Sequence, residues 1–540
     1  MRNAVFVALT FAALAGCTKA GNTPSATRHS WTIPHVLRIA DISDPDHLNP
    51  YLSEMDLSYD IASLVYSYLV IADDRGRLIG DLAANVPSLA NGGISRDGRT
   101  YTYHLRRNVI WQDGVPFDAS DVVASWRAVM NPHNNTFEHE GYDRVDRVEA
   151  GGSDTVVVHL RERYPPFVSR FFAPLQEGGK PVLPAHVLAR EQDFNAGELS
   201  AQPIGTGPFA FVSWTRGDRI VLRRFDRYFK GRPHLARIEL RFIPSDQTIA
   251  AELQEHQVDL IVAPQTSLLD EYRATDGVTV ATAAWNAQAG LMIDARKPGL
   301  HDVAVRRAIA GAVPYGIILH DVTRDLYRRA LNSLPPTALG YEPLPPRHYD
   351  PVAAGLLLER AGWHRAADGV RTRNGVRLSF TLVTIAGATN FERMALLLQS
   401  SFRTAGIDLA IKTYPYRTIF AAPNGPIYSG SYDLALYSDT LNWDPDVYNF
   451  TACDRWYPAG QNIFRFCDPR LDAFERAGLQ TDDSRRRARL YRAASRLMWS
   501  VVPYVPVYNG RRLIVRSSDL RNYSVNPTST PWWNPYQWDI

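Results

Sequence analysis

Cysteine is scarce in this chain of 540 residues: Cys17, Cys453 and Cys467 are the only three. That excludes a small disulfide-knotted scaffold, and a hydrophobic content of 45% supplies an ordinary buried core instead. Charge of one sign is also lacking. The formal net charge is +3, and the basic residues, overwhelmingly Arg, are scattered among acids, so nothing marks a nucleic-acid binder. Catalytic signatures are missing too. His139-Glu140 has no second His at zinc-binding spacing, and no Gly-x-Ser-x-Gly elbow occurs. Gly205-Thr206-Gly207 runs into Pro208 rather than a Lys-Ser or Lys-Thr pair, so it is no phosphate cradle. The 14 histidines are dispersed, with His133, His139, His301 and His348 well apart, which argues against a tight metal site. No metal, no cofactor and no enzymatic activity are expected. There is no repeat of solenoid length.

What is present begins at the N-terminus. Arg2 precedes an apolar run from Val5 to Ala15, and small residues lead to Cys17. The run is too short for a permanent span, which needs about 20 apolar residues. Leu14-Ala15-Gly16-Cys17 resembles the bacterial lipobox, which implies a signal peptide over 1–16 and lipidation of Cys17. Residues 17–30 are small and polar and read as a lipid-anchored linker. The expected location is the cell envelope, on the periplasmic or extracellular face, with the membrane reached through the lipid anchor only. In that oxidising setting Cys453 and Cys467 are expected to pair, a bridge worth ~3 kcal/mol.

Beyond residue 30, short strands and helices alternate. Strands are predicted over Val36–Ala40, Thr100–Leu105, Thr155–Leu160, Arg219–Arg224, Arg237–Phe242, Val258–Val262, Ser379–Thr384 and Asp408–Tyr414. Helices are predicted over Asp60–Val70, Ser120–Met130, Gln247–His256, Val303–Ala312 and Asn390–Ala405, and after the Asp350-Pro351 cap. A second block begins near Ala283. The pattern is mixed α/β.

Four segments carry a resemblance: Asp97-Gly98-Arg99-Thr100-Tyr101-Thr102-Tyr103, Trp111-Gln112-Asp113-Gly114-Val115-Pro116, Gly205-Thr206-Gly207-Pro208-Phe209 with Tyr228-Phe229-Lys230-Gly231, and Tyr349-Asp350-Pro351 through Ala361-Gly362-Trp363. In number, order and spacing they resemble the bacterial solute-binding family of oligopeptide-, dipeptide- and nickel-binding proteins of ABC importers. The resemblance spans nearly the whole mature chain. It implies an α/β, two-lobed, periplasmic-binding-protein-like fold of the large type, with the ligand cleft between lobes. The implied division is 31–62, 200–280 and 505–540 for the core of lobe I, 63–199 for its extra subdomain, and 281–504 for lobe II. The implied function is that of a substrate-binding lipoprotein, a monomer, that hands short peptides to ABC permease subunits. The alternatives are a metal chelate, haem, an opine or an oligosaccharide on the same fold, or a secreted hydrolase. The glycines of Gly205-Thr206-Gly207 are read as permitting positive φ where the chain turns into a strand.

Candidate ligand contacts cluster in Tyr437-Ser438-Asp439-Thr440-Leu441-Asn442-Trp443-Asp444. In peptide-binding relatives an Asp of this loop pairs with the peptide amine. Counting back from Asp444 finds Leu441 at that place, so Asp439 takes the role only if the loop is longer here. Tyr437, Trp443 and Asp444 are read as neighbours of the pocket, and Met55 and Asp56 as the contribution of lobe I. Trp532, Trp533 and Trp538 are expected to pack the C-terminal segment onto lobe I.

Overall fold

The computed structural model describes residues 28–53, 55–136, 139–175, 179–191, 193–421, 423–441, 444, 447–528 and 530–540. Cys17, the signal segment and Trp443 lie outside the described residues. Among the described residues no helix is long and apolar enough to cross a membrane.

The chain opens on strand β1 (Val36–Asp41), whose side chains are buried on both faces, as a central strand requires. Helix α1 (Asp56–Val65) follows. It starts four residues before the predicted Asp60 and ends five before the predicted Val70: Tyr66 turns extended, and Val70–Ala72 pairs with Leu78–Gly80 instead of continuing the helix. A subdomain comes next, built from β2 (Thr100–His104), α2 (Ala119–Met130), β3 (Val145–Ala150) and β4 (Thr155–Leu160). Helix α2 is capped by Asp118, two residues before the predicted start at Ser120. The Asp118 carboxylate accepts from Ser120 N at 2.7 Å, and Asp121 accepts from Asp118 N at 2.9 Å, a reciprocal box. The chain then rejoins the main sheet through β5 (Phe209–Thr215), β6 (Arg219–Arg224) and β7 (Arg237–Phe242).

Helix α3 (Asp246–Gln254), the short strand β8 (Leu260–Ile261) and helix α4 (Leu269–Ala274) complete the first half before the crossing. Strand β9 (Val278–Ile293) carries the chain into the second half. There α5 (Val303–Gly311), α6 (Pro351–Arg360), β10 (Ser379–Ile385), α7 (Thr389–Ala405), β11 (Asp408–Tyr414) and β12 (Leu434–Thr440) alternate. Helices α8 (Pro469–Gly478) and α9 (Ser484–Val501) follow, and β13 (Tyr504–Ser517) returns the chain to the first half.

One sheet runs through both halves in the order β11-β10-β12-β9-β13-β8-β1-β7-β6-β5. The two long strands at its centre are the crossings. At one end β13 pairs with β8 (Leu260 opposite Arg516), and at the other β9 pairs with β12 (Gly290 opposite Tyr437). Between them the β9–β13 ladder breaks register at Ala284/Gln288 and again at Ala289/Gly290. Such bulges kink paired strands, and here they fall where the two halves meet. Each half has its own apolar core, one holding Leu37, Ile39, Trp111, Phe167 and Trp538, the other Leu291, Ile309, Leu382, Leu398 and Leu436. Trp532 and Trp538 are buried in the first core, where they seat the C-terminal segment.

The Gly205-Thr206-Gly207 turn corrects the sequence reading of its physics. Neither glycine adopts positive φ. A Cβ on Gly205 would lie 1.9 Å from the Val65 carbonyl oxygen, and one on Gly207 2.6 Å from it. The glycines are there for close approach of backbone to the end of α1. Gln112 seals the contact, donating through Nε2 to Phe209 O at 2.8 Å and Val65 O at 3.1 Å, while Gly205 N donates to its Oε1 at 3.0 Å. Two of the motifs thus dock on each other.

Candidate functional site

A cavity of about 950 Å³ lies where the two halves meet. The first half contributes Gln265, Thr266 and Arg273, from the segment that follows β8 and from α4. The crossing strands supply its floor: Trp285 and Ala287 from β9, Tyr508 and Gly510 from β13. Gly510 keeps that floor flat, since a Cβ there would press on Ala287 Cβ and Trp285 Cε3, each 3.2 Å away. The second half contributes the helical turn Ile318–Val322 with the loop behind it, the start of α7, and Ser438 on β12.

Aromatic faces and charges share the lining. Tyr508 packs on Tyr327 with ring centroids 5.1 Å apart. Arg324 reaches across from the second half to the first, donating to Thr266 O at 3.4 Å and pairing with Asp270. His320 Nδ1 lies 2.9 Å from Asp325 Oδ2. That hydrogen bond and the charges of Asp325 and Asp321 raise the His320 pKa. Arg273, Asp321 and Arg393 also line the cavity, and no hydrogen bond or ion pair joins them to another described residue. A second bridge between the halves lies away from the cavity. Arg163 donates to Gln480 O at 2.7 Å and faces Asp482 at 3.4 Å, while holding Arg96 O and Asp97 O on its own side.

The residues singled out from sequence sit differently. Tyr437 is 6% exposed and packs in an apolar cluster with Met292, Ile419 and Phe420. It is core, not cavity lining. Asp444 is 4% exposed and is ion-paired with Arg487, itself 3% exposed. Burial works against the Arg487 charge, but Asp444 and the Tyr491 hydroxyl outweigh it and raise its pKa. The Asp444 carboxylate is therefore committed to scaffold. Met55 is the half-buried residue before α1, and Asp56 is the exposed first residue of that helix; neither lines the cavity. Asp439 does not line it either, although Ser438 does. Side chains alternate along β12, so Asp439 projects to the Tyr437 face and Ser438 to the cavity face. The Asp439 carboxylate reaches solvent, yet protein crowds it enough to raise its pKa, with the Thr440 N–H pulling the other way. Cys453 and Cys467 form a disulfide. Among the described residues no group of three or more His, Cys, Asp or Glu could hold a metal ion.

The model of the bacterial extracellular solute-binding proteins, family 5 (middle), matches residues 84–458. The chain belongs to that family. Among family 5 relatives, Protein XP55 of Streptomyces lividans is 28% identical over 450 residues, which cover 83% of this chain and 79% of that one. The oligopeptide-binding protein AppA of Bacillus subtilis (strain 168) is 23% identical over 546 residues, 96% of each chain. The structure of NikA from Brucella suis with Fe(III)-EDTA superimposes with a TM-score of 0.81 at 22% identity, covering 93% of this chain and 99% of that one. The fold of family 5 is the two-lobed binding-protein fold. Its two lobes are here the two halves joined by β9 and β13, and the cavity is the cleft between them.

The signal for this cavity in the sequence is weak. Its residues come from six separate segments, none of which forms a motif.

Proposed function

We propose that this protein captures short peptides outside the cytoplasm and delivers them intact to the permease subunits of an ABC importer. The cavity between the two lobes carries this reading. About 950 Å³ is room for a small peptide, and the lining mixes aromatic faces with charged groups of both signs, as a zwitterionic ligand requires. Its floor is made of the two crossing strands, so a hinge motion there opens and shuts it. Relatives named for binding oligopeptides and di- and tripeptides support the choice of ligand.

The exported, envelope-bound placement belongs to the same proposal. The Leu14-Ala15-Gly16-Cys17 sequence supports cleavage before Cys17 and anchoring through lipid on that residue. A monomer at the membrane surface suffices for delivery. Native mass spectrometry of protein purified from its host tests the central part. The expected result is one or more peptides of a few residues, released intact on unfolding. Recovery of a non-peptide solute would overturn the peptide reading while leaving the binding fold. Steady release of cleaved products from added peptides would overturn capture itself.

A further inference from the structure

The charges left over in the cavity say more about the ligand than its volume does. Resting on the peptide reading above, we propose that the preferred ligand is an acidic short peptide of net charge −1. Its amine is held by Asp321, and its two carboxylates are held by Arg273 of lobe I and Arg393 of lobe II. Of the charged side chains that line the cavity, Arg324 is taken by Asp270 and Asp325 by His320. That leaves two guanidiniums, Arg273 and Arg393, and one carboxylate, Asp321, which acts on His320 through space but makes no hydrogen bond or ion pair with a described residue. While the cavity is open, water solvates them at little cost. Once a ligand displaces that water, each needs a counter-charge, because a desolvated ion without a partner is expensive. Two positives and one negative are neutralised by a ligand with two negatives and one positive.

The guanidiniums also come from opposite lobes. Arg273 sits on α4 of the first half, Arg393 on the second turn of α7 in the second. A ligand engaging both ties the lobes together, so its binding energy goes directly into holding the cleft shut. Guanidinium groups bind carboxylates in bidentate fashion, which fixes orientation as well as charge. The start of α7 adds nothing decisive, since Glu392 already accepts from Gly387 N at 2.9 Å.

Titration calorimetry with the full-length mature protein tests it. The probes are the tripeptides Ala-Glu-Ala, Ala-Gln-Ala and Ala-Lys-Ala, with Ala-Glu-Ala amidated at its C-terminus to separate the terminal carboxylate from the side-chain one. Ala-Glu-Ala is expected to bind at least ten-fold more tightly than Ala-Gln-Ala, with Ala-Lys-Ala weakest, and amidation should also cost at least ten-fold. Arg273→Gln and Arg393→Gln should each weaken Ala-Glu-Ala at least ten-fold, one of them erasing the preference for Glu over Gln and the other the penalty of amidation. Melting temperatures without ligand should stay unchanged, which shows that the variants fold. Equal affinity for the acidic, neutral and basic peptides, or undiminished discrimination in both variants, would overturn the inference and leave the peptide reading standing. Failure of every peptide to bind would overturn the peptide reading, and the inference with it.

Discussion

Asp41 ends β1 with its carboxylate almost fully buried. Burial raises its pKa to about 6, against the pull of the Ser43 and Ile42 amides and with added repulsion from Asp246 and Asp56. The folded state therefore binds the proton more tightly than the unfolded chain. The stability linked to this proton is fully present below about pH 4 and is lost as pH rises through 6, a change of up to ~3 kcal/mol. Denaturant titrations from pH 4 to pH 7 should show that decline, and Asp41→Asn should flatten it. A slope unchanged in the variant would assign the pH dependence elsewhere. Asp444 is a different case, a buried carboxylate ion-paired with Arg487. Asp444→Ala leaves Arg487 uncompensated and should destabilise the fold by about 3–5 kcal/mol. A loss below 1 kcal/mol in denaturant midpoint analysis would mean that water or another group replaces the pair. At this scale the sequence was informative about residue types and poor about where their side chains face. Asp444 and Tyr437 were conspicuous because a polar loop surrounds them, and the fold buries both, one in an ion pair with Arg487 and the other in an apolar cluster. Ser438, which does face the cavity, has nothing conspicuous about it. A shift of one residue along a strand moves a side chain to the other face, and spacing within a loop cannot fix that register.

Elements were legible where their pattern is local. Strand β11 spans Asp408–Tyr414 as predicted, and helix α7 stops at Gly406, whose φ of +88° only glycine adopts readily. Strand β9 was visible only as the start of a second block near Ala283, because Ala281, Thr282, Ala283 and Ala284 give no alternation of apolar and polar residues. Its length comes from pairing with β13, which lies more than 200 residues away in sequence. The Gly205-Thr206-Gly207 motif was legible as a turn, but its reason was not, since Val65 is supplied by a helix from another part of the chain. Gly205→Ala should therefore destabilise by about 1–3 kcal/mol or more, through overlap with backbone that cannot rotate away. Thermal unfolding measures it. An unchanged melting temperature would show that α1 can move aside.

The described residues form two halves joined by two strands, each half around a main apolar core, and the proposed capture depends on how those halves move. Arg163 fastens the subdomain of β2, α2, β3 and β4 to the loop between α8 and α9, and it touches none of the residues that line the cavity. Arg163→Ala should favour the open form and weaken ligand binding by roughly ten-fold, with melting temperature little changed, as expected for the loss of charge-assisted hydrogen bonds at a closing surface. The two-lobed architecture was legible from motifs spread over the chain. The cleft was not, because it exists only once segments near 265, 286, 320, 390, 438 and 508 are brought together.

Small-angle scattering of the mature protein, first alone and then saturated with a peptide that calorimetry shows to bind, addresses capture by closure most directly. The radius of gyration should fall when peptide is added, and mass spectrometry of the same sample should return that peptide uncut. An unchanged radius with the peptide bound, or a peptide returned in pieces, would contradict it.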